Sequence, residues 1–216
     1  NSDPADLTPA RPTGWTGTQY PDQARTSIEV TDRNITGINF GLYHGGTVTG
    51  ISFVDNGSGG GTAHNGVRDG EEKAIYQSVI LAAESNSLTE IDRTITDGSG
   101  RFTLWIPYTS DGSQLLVKEQ ASGAYLSVSG SAGSTGATYD LTNDQFSILF
   151  TSGTEKTGLA FGNTKVPVFS PDGQQHAAAG SVVFYRHIFK AQTEGTVQFS
   201  GSTPSDAAGW SYALYH

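Results

Sequence analysis

Six carboxylate and carboxamide side chains crowd positions 55 to 72: Asp55, Asn56, Asn65, Asp69, Glu71 and Glu72, interrupted by six glycines. Carboxylates and amide carbonyls at this density are the donors that a hard cation such as Ca²⁺ needs, since it gathers about six to eight oxygens at about 2.3–2.6 Å. Glycines let a loop bend until several oxygens meet at one point. Neighbouring acids repel one another, and a bound divalent ion reverses that sign. The same spacing also describes a solvated hairpin whose Asp and Asn side chains close Asx turns, and spacing by itself leans to that hairpin. An EF-hand loop is not matched, because Gly57 and Gly59 stand where Asp or Asn is required.

Other chemistries find less support. There is no Gly-x-Ser-x-Gly elbow, and without Cys there is no thiolate nucleophile, iron–sulfur cluster or Cys-ligated zinc. The five histidines (His44, His64, His176, His187, His216) show no His-Glu-x-x-His spacing. His187 sits in an apolar run and reads as a strand residue. No Gly-Lys dipeptide offers a phosphate loop, and Gly59-Gly60-Gly61 does not open a helix. Carboxylate pairs for glycoside chemistry meet only in space, and no pair stands out. The chain is expected to be non-catalytic. Trp15, Trp105 and Trp210 read as strand-packing residues, with a carbohydrate-binding surface as the alternative. Asn34-Ile35-Thr36 and Asn56-Gly57-Ser58 fit the short glycosylation pattern, which is common by chance.

The elements that position these residues are strands. Of 216 residues only 15% are charged while 28 are Gly, so exposed helical faces would lack their usual Glu, Lys and Arg. Period-2 segments recur at 26–30, 48–54, 101–106, 145–150, 181–189 and 196–199, with turn clusters at 55–65, 97–100, 110–113, 129–136 and 171–173. The apolar run 78–83 reads as a strand preceded by a loop. The formal charge of −9 argues against nucleic acid as a partner, and no apolar run reaches the roughly 20 residues of a membrane helix. The opening Asn1-Ser2-Asp3-Pro4-Ala5-Asp6 has no charged-and-apolar leader, so any signal peptide is expected to have been removed or never to have existed.

Thr36-Gly37-Ile38-Asn39-Phe40-Gly41 recurs as Thr157-Gly158-Leu159-Ala160-Phe161-Gly162, 121 residues on. A closing strand used twice at domain spacing divides the chain into residues 1–44, the end of a preceding unit or an exchanged strand; 45–163, a complete sandwich; and 164–216, a partial one. The fold expected is all-β, tandem immunoglobulin-like or prealbumin-like sandwiches with incomplete ones at both ends. Unfinished edges there would pair with neighbouring domains or with copies of the same chain, and the segment 25–43 could be exchanged by strand addition.

The middle unit resembles the B-type, prealbumin-like domains of bacterial surface proteins, such as those of serine-aspartate-repeat adhesins and collagen adhesins. Phe53-Val54-Asp55 opens the pattern, Asn65-Gly66-Val67-Arg68-Asp69-Gly70-Glu71-Glu72-Lys73-Ala74-Ile75 continues it, and Thr96-Asp97-Gly98-Ser99-Gly100-Arg101-Phe102 gives the second motif. The resemblance implies a Ca²⁺ site at Asp55, Asn65, Asp69 and Glu72, to which Asn56 adds an oxygen of this sequence alone. Two departures stand out: the loop from Asp55 to Asn65 is longer than the family's, and Glu71 replaces a Gly. Some relatives carry a Lys–Asn isopeptide crosslink, for which Lys73, Lys118, Lys156, Lys165 and Lys190 are available, with no spacing that selects one. Val166-Pro167-Val168, Ala179-Gly180-Ser181 and Gly209-Trp210-Ser211-Tyr212-Ala213-Leu214-Tyr215 resemble the start of an immunoglobulin-like surface-protein repeat. The function implied is a structural or adhesive segment of a secreted bacterial cell-surface protein, stiffened by Ca²⁺, or else a subunit of an extracellular filament.

Overall fold

Residues that alternate between apolar and polar side chains build this molecule, because successive side chains of a strand point to opposite faces. The structure, a computed structural model, describes residues 11–18, 32, 34, 36, 41–120, 122–173, 175–178, 180–201, 209, 211 and 213. Among them run twelve strands: β1 (Trp15–Gly17), β2 (Leu42–Val54), β3 (Val79–Glu84), β4 (Glu90–Ile95), β5 (Arg101–Pro107), β6 (Gln114–Gln120), β7 (Tyr125–Ser131), β8 (Thr138–Asp140), β9 (Gln145–Leu149), β10 (Glu155–Lys165), β11 (Val168–Ser170) and β12 (Ile188–Lys190).

β2 is the hub of the first sheet. β5 pairs antiparallel along one side of it, from Gly45↔Pro107 to Ile51↔Arg101. β10 pairs parallel along the other, from Thr47↔Glu155 to Val54↔Asn163, and β7 adds antiparallel to β10. β1 joins the start of β2 through Trp15↔His44, so residues 15–17 extend the same sheet, and β2 runs unbroken through positions 44 and 45. The second sheet is antiparallel throughout, in the order β4-β3-β6-β9-β8. β11 and β12 form a separate two-stranded ribbon.

The two larger sheets share one apolar layer, the arrangement of a β-sandwich. Val48, Phe102, Leu104, Ile106, Leu159 and Phe161 from the first meet Ile80, Ala82, Leu115, Val117, Phe146 and Ile148 from the second. Phe146 meets Phe161 edge-on at 4.9 Å between ring centres, and Tyr139 packs against Phe146 at 4.7 Å. Trp105 is half-buried edge-on to Tyr43 at 5.2 Å, and Trp15 stacks on His44 at 4.6 Å. Both tryptophans therefore pack on strand residues, while Trp210 lies outside the described residues.

The segments 48–54, 101–106 and 145–150 lie in or overlap β2, β5 and β9, as alternation predicts, and the apolar run 78–83 lies largely in β3 behind a loop. Three expectations need correction. Of 181–189 only Ile188 and Phe189 are in a strand, and 196–199 is in none. A strand needs a partner for its ladder bonds, and Val182 and Phe184 stand 76% and 73% exposed. The turn expected at 129–136 begins only after Ser131, closed by the Thr135 amide on the Ala132 carbonyl, because Ser129 to Ser131 pair with β10. The segment 26–30, most of 25–43 and most of the first copy of the Thr-Gly repeat lie outside the described residues; the second copy is the heart of β10.

Phe161 is fully buried at the centre of the aromatic cluster. Phe161→Ala is expected to lower the unfolding free energy by about 3–5 kcal/mol in urea titrations. Leu149→Ala, at a side chain 58% exposed, should stay within about 0.5 kcal/mol.

Candidate functional site

The acidic loop begins where β2 ends. Phe161 and Asn163 point into the sandwich, so Gly162 between them faces outward, and there it meets Asp55. A Cβ at Gly162 would collide with the Ser129 hydroxyl and come within 2.8 Å of Asp55 Oδ2, so only glycine admits the carboxylate at this point. Asp55 is fully buried: its amide donates to the Asn163 carbonyl at 2.7 Å, and its Oδ2 accepts the Gly66 amide at 2.8 Å and the Ser129 hydroxyl. Its Oδ1 has no partner among the described residues.

The other expected ligands turn inward on the loop. Glu72, 4% exposed, accepts the Gly57 amide on Oε1 at 2.9 Å and the Asp69 amide on Oε2 at 3.1 Å. Asp69 accepts the Thr62 amide at 3.0 Å and the Asn65 side-chain amide at 3.1 Å, one on each oxygen. Asn65 Oδ1 takes the Val67 amide at 2.7 Å and Asn56 Oδ1 the Ser58 amide at 3.2 Å, both Asx turns. Arg68 crosses the loop, donating to the Glu72 carbonyl at 3.0 Å and the Ser99 carbonyl at 3.1 Å. Beyond it, residues 73–75 return along the edge of β2: the Val54 amide bonds the Lys73 carbonyl and the Ile75 amide the Ser52 carbonyl. His64 Nε2 lies 2.9 Å from the Thr193 hydroxyl, joining the loop to the segment after β12.

These bonds bear on the fit of a cation. Asp55, Asn56, Asn65, Asp69 and Glu72 are brought into one loop, where each accepts at least one amide of that loop. Among the described residues no group of three or more His, Asp and Glu side chains is placed to hold a metal. As arranged, the carboxylates of the set are taken up by amides of the loop and by Ser129, and among the described residues Asp55 Oδ1 is the one carboxylate oxygen left without a donor.

A second cluster lies on the inner face, and composition gave no hint of it. In three strands, and at the residue leading into a fourth, the core-facing row of alternate residues ends in a polar one: Val48-Gly50-Ser52, Leu115-Val117-Glu119 and Leu159-Phe161-Asn163, and Ala82-Ile80-Ser78 just before β3. All four polar residues are buried at the same end of the sandwich. Glu119 Oε1 accepts the Ser52 hydroxyl at 2.6 Å and the Ser78 hydroxyl at 2.5 Å, while Oε2 accepts the Asn163 amide at 2.8 Å. Among the described residues Asn163 Oδ1 is buried without a partner. A cavity of about 440 Å³ opens onto the cluster, lined by Glu119, Asn163 and Ser78 with Tyr76 and Tyr125. None of the five lysines bonds to Asn163 or lines the cavity; Ser52 faces Asn163 at 3.4 Å. The signal in the sequence was a polar residue in phase with an apolar row, which alternation by itself reads as the end of the core.

Burial pushes the Glu119 carboxyl above the ordinary value of 4.5; hydrogen bonds from Ser52, Ser78 and Asn163 oppose the rise and the charge of Asp144 adds to it. No protein-family model matches this chain, and no curated protein does.

A carboxyl whose proton is held more tightly in the folded state stabilises the fold most below its unfolded value, and that stability fades as pH climbs from 4.5 through the raised value. Glu119→Gln should therefore flatten the fall in melting temperature over that interval relative to the parent. The carboxamide can keep both serine hydroxyls while the Asn163 amide rotates to present Oδ1. Glu119→Ala leaves three buried donors unpaired and should cost about 1–3 kcal/mol for each. A parent and Glu119→Gln with the same pH profile by differential scanning fluorimetry would contradict the assignment.

Proposed function

We propose that this chain is a non-catalytic structural or adhesive segment of a secreted bacterial cell-surface protein, a stiff β-sandwich set among neighbouring domains. The observation that carries the reading is the parallel pairing of β2 with β10. β2 enters at Leu42 and β10 leaves at Lys165, at opposite ends of their shared ladder. Tension applied through these two ends loads the interstrand hydrogen bonds together, in shear, rather than opening them one after another. The motifs through Asn65 to Ile75 and Thr96 to Phe102 add the resemblance to surface-protein modules. Exposed Phe169, Phe184, Ile188 and Phe199 around β11 and β12 favour packing against a neighbouring domain or a second copy.

In this reading the loop after β2 is braced by its own carboxylates, which neutralise their burial by accepting amides. Calcium is the competing brace: to enter it would have to displace those amide donors and draw their oxygens to one centre.

Two measurements test the proposal. The chain has no Cys, so paired cysteine handles are specific. Single-molecule pulling from positions 42 and 165 should need a severalfold higher rupture force than pulling from 123 and 165. In the second geometry the Tyr125↔Lys165 end of β7 peels from β10 bond by bond; equal forces would sink the mechanical reading. Thermal melts in excess EDTA and in millimolar calcium should coincide. An ion-braced loop would instead gain about 2.7 kcal/mol when calcium is a hundredfold above its dissociation constant.

A further inference from the structure

We propose that Ser52 and Asn163 become joined by an ester bond, a covalent crosslink between β2 and β10, with Glu119 relaying the proton. The parallel register pairs Ser52 with Phe161, so Asn163 is the next residue of β10 on the same inner face. Their side chains meet there: Asn163 Nδ2 lies 3.4 Å from the Ser52 hydroxyl. The carboxamide carbon is about 1.33 Å from that nitrogen. The hydroxyl oxygen is thereby within about one bond length of the roughly 3–3.5 Å separation from which attack proceeds. A serine hydroxyl is a weak nucleophile until a base takes its proton. Glu119 is placed as that base: Oε1 accepts the Ser52 hydroxyl at 2.6 Å, and Oε2 accepts the Asn163 amide at 2.8 Å. One carboxylate spans the nucleophile and the leaving group.

The step balances with these three groups alone. Ser52 Oγ bonds to Asn163 Cγ while the hydroxyl proton passes to Glu119 Oε1. The Cγ–Nδ2 bond then breaks, and Glu119 returns a proton from Oε2 to the nitrogen, which leaves as ammonia. Ser52 and Asn163 have no exposed surface and Glu119 is 2% exposed, so water is kept from a carbonyl that it would otherwise hydrolyse to an aspartate. Burial also raises the proton affinity of the Glu119 carboxyl, which makes it the stronger base. Among the described residues no donor reaches Asn163 Oδ1, so nothing steadies the charge that gathers there during attack. The reaction is therefore slow and happens once per chain, as maturation rather than turnover. An ester oxygen is a weaker acceptor than an amide oxygen, so leaving it unpaired costs less once the bond has formed. The crosslink needs only the inner cluster, whatever load the chain carries.

Incubation of the folded full chain at neutral pH, followed by mass spectrometry of its tryptic peptides, tests the bond. Peptide 157–165 should accumulate joined to peptide 34–68, the pair having lost one ammonia, and chain kept unfolded in urea should not form it. Hydroxylamine should part the pair again, since it cleaves an ester far faster than an amide. Ser52→Ala should abolish the pair, and Glu119→Gln should form it about a hundredfold or more slowly. The peptide map of the parent chain stands whatever becomes of the variants' folding. Peptide 157–165 found only in free form after prolonged incubation would overturn the proposal. So would ammonia lost solely at Asn56 or Asn65, each followed by Gly, or an equal yield of the pair in a folded Glu119→Gln variant.

Discussion

The last hydrogen bond of the β2–β10 pairing, from the Asp55 amide to the Asn163 carbonyl at 2.7 Å, holds together the two polar features of this molecule. Parallel strands bring their C-terminal ends to the same edge, so the residues that follow Val54 and those that surround Asn163 emerge side by side. Asp55 turns outward beneath the acidic loop, and Asn163 turns inward beside Glu119. If that pairing slipped by one residue, every side chain of the shifted strand would exchange faces. Phe161 would leave the core and Asn163 would leave the cavity.

Asp55 and Glu119 at this edge are both buried, and among the described residues each is held by neutral donors. A carboxylate that accepts several hydrogen bonds keeps much of the stabilisation it loses on leaving water. On the outer face the donors are backbone amides of the loop itself, together with Ser129, so an 18-residue stretch with six glycines takes one shape although it has little apolar surface to bury. On the inner face they are two hydroxyls and a carboxamide, from the strands β2 and β10 and from Ser78, the residue leading into β3. The loop is thereby a local structure resting on the sheet, whereas the inner cluster exists only when both sheets have closed.

Much of the sandwich was legible in order. Strands β5 and β9 alternate plainly and end close to the turns that Gly, Asp and Ser mark, whereas β3 is an unbroken apolar run and β2 begins six residues before its alternating segment 48–54. β6 was obscured because Lys118 and Glu119 end its apolar run, although Glu119 is in phase with Leu115 and Val117. β7 was obscured by serines that read as turn residues. Its Ser129 is instead a buried donor to Asp55. In the other direction, 181–187 alternates well and forms no strand, since a pattern supplies a face but no partner edge.

What the amino-acid sequence determined alone is the parity of each strand and the self-bonding chemistry of the acidic loop, because both are set by neighbours a few residues apart. Asx turns and amide-accepting carboxylates need only local backbone. What the tertiary structure decided is where the polar ends of the strands meet. Ser52 and Asn163 stand 111 positions apart in the chain and 3.4 Å apart in space. Their meeting depends on the parallel register of β2 and β10 and on the second sheet closing over them, and no spacing along the chain encodes either.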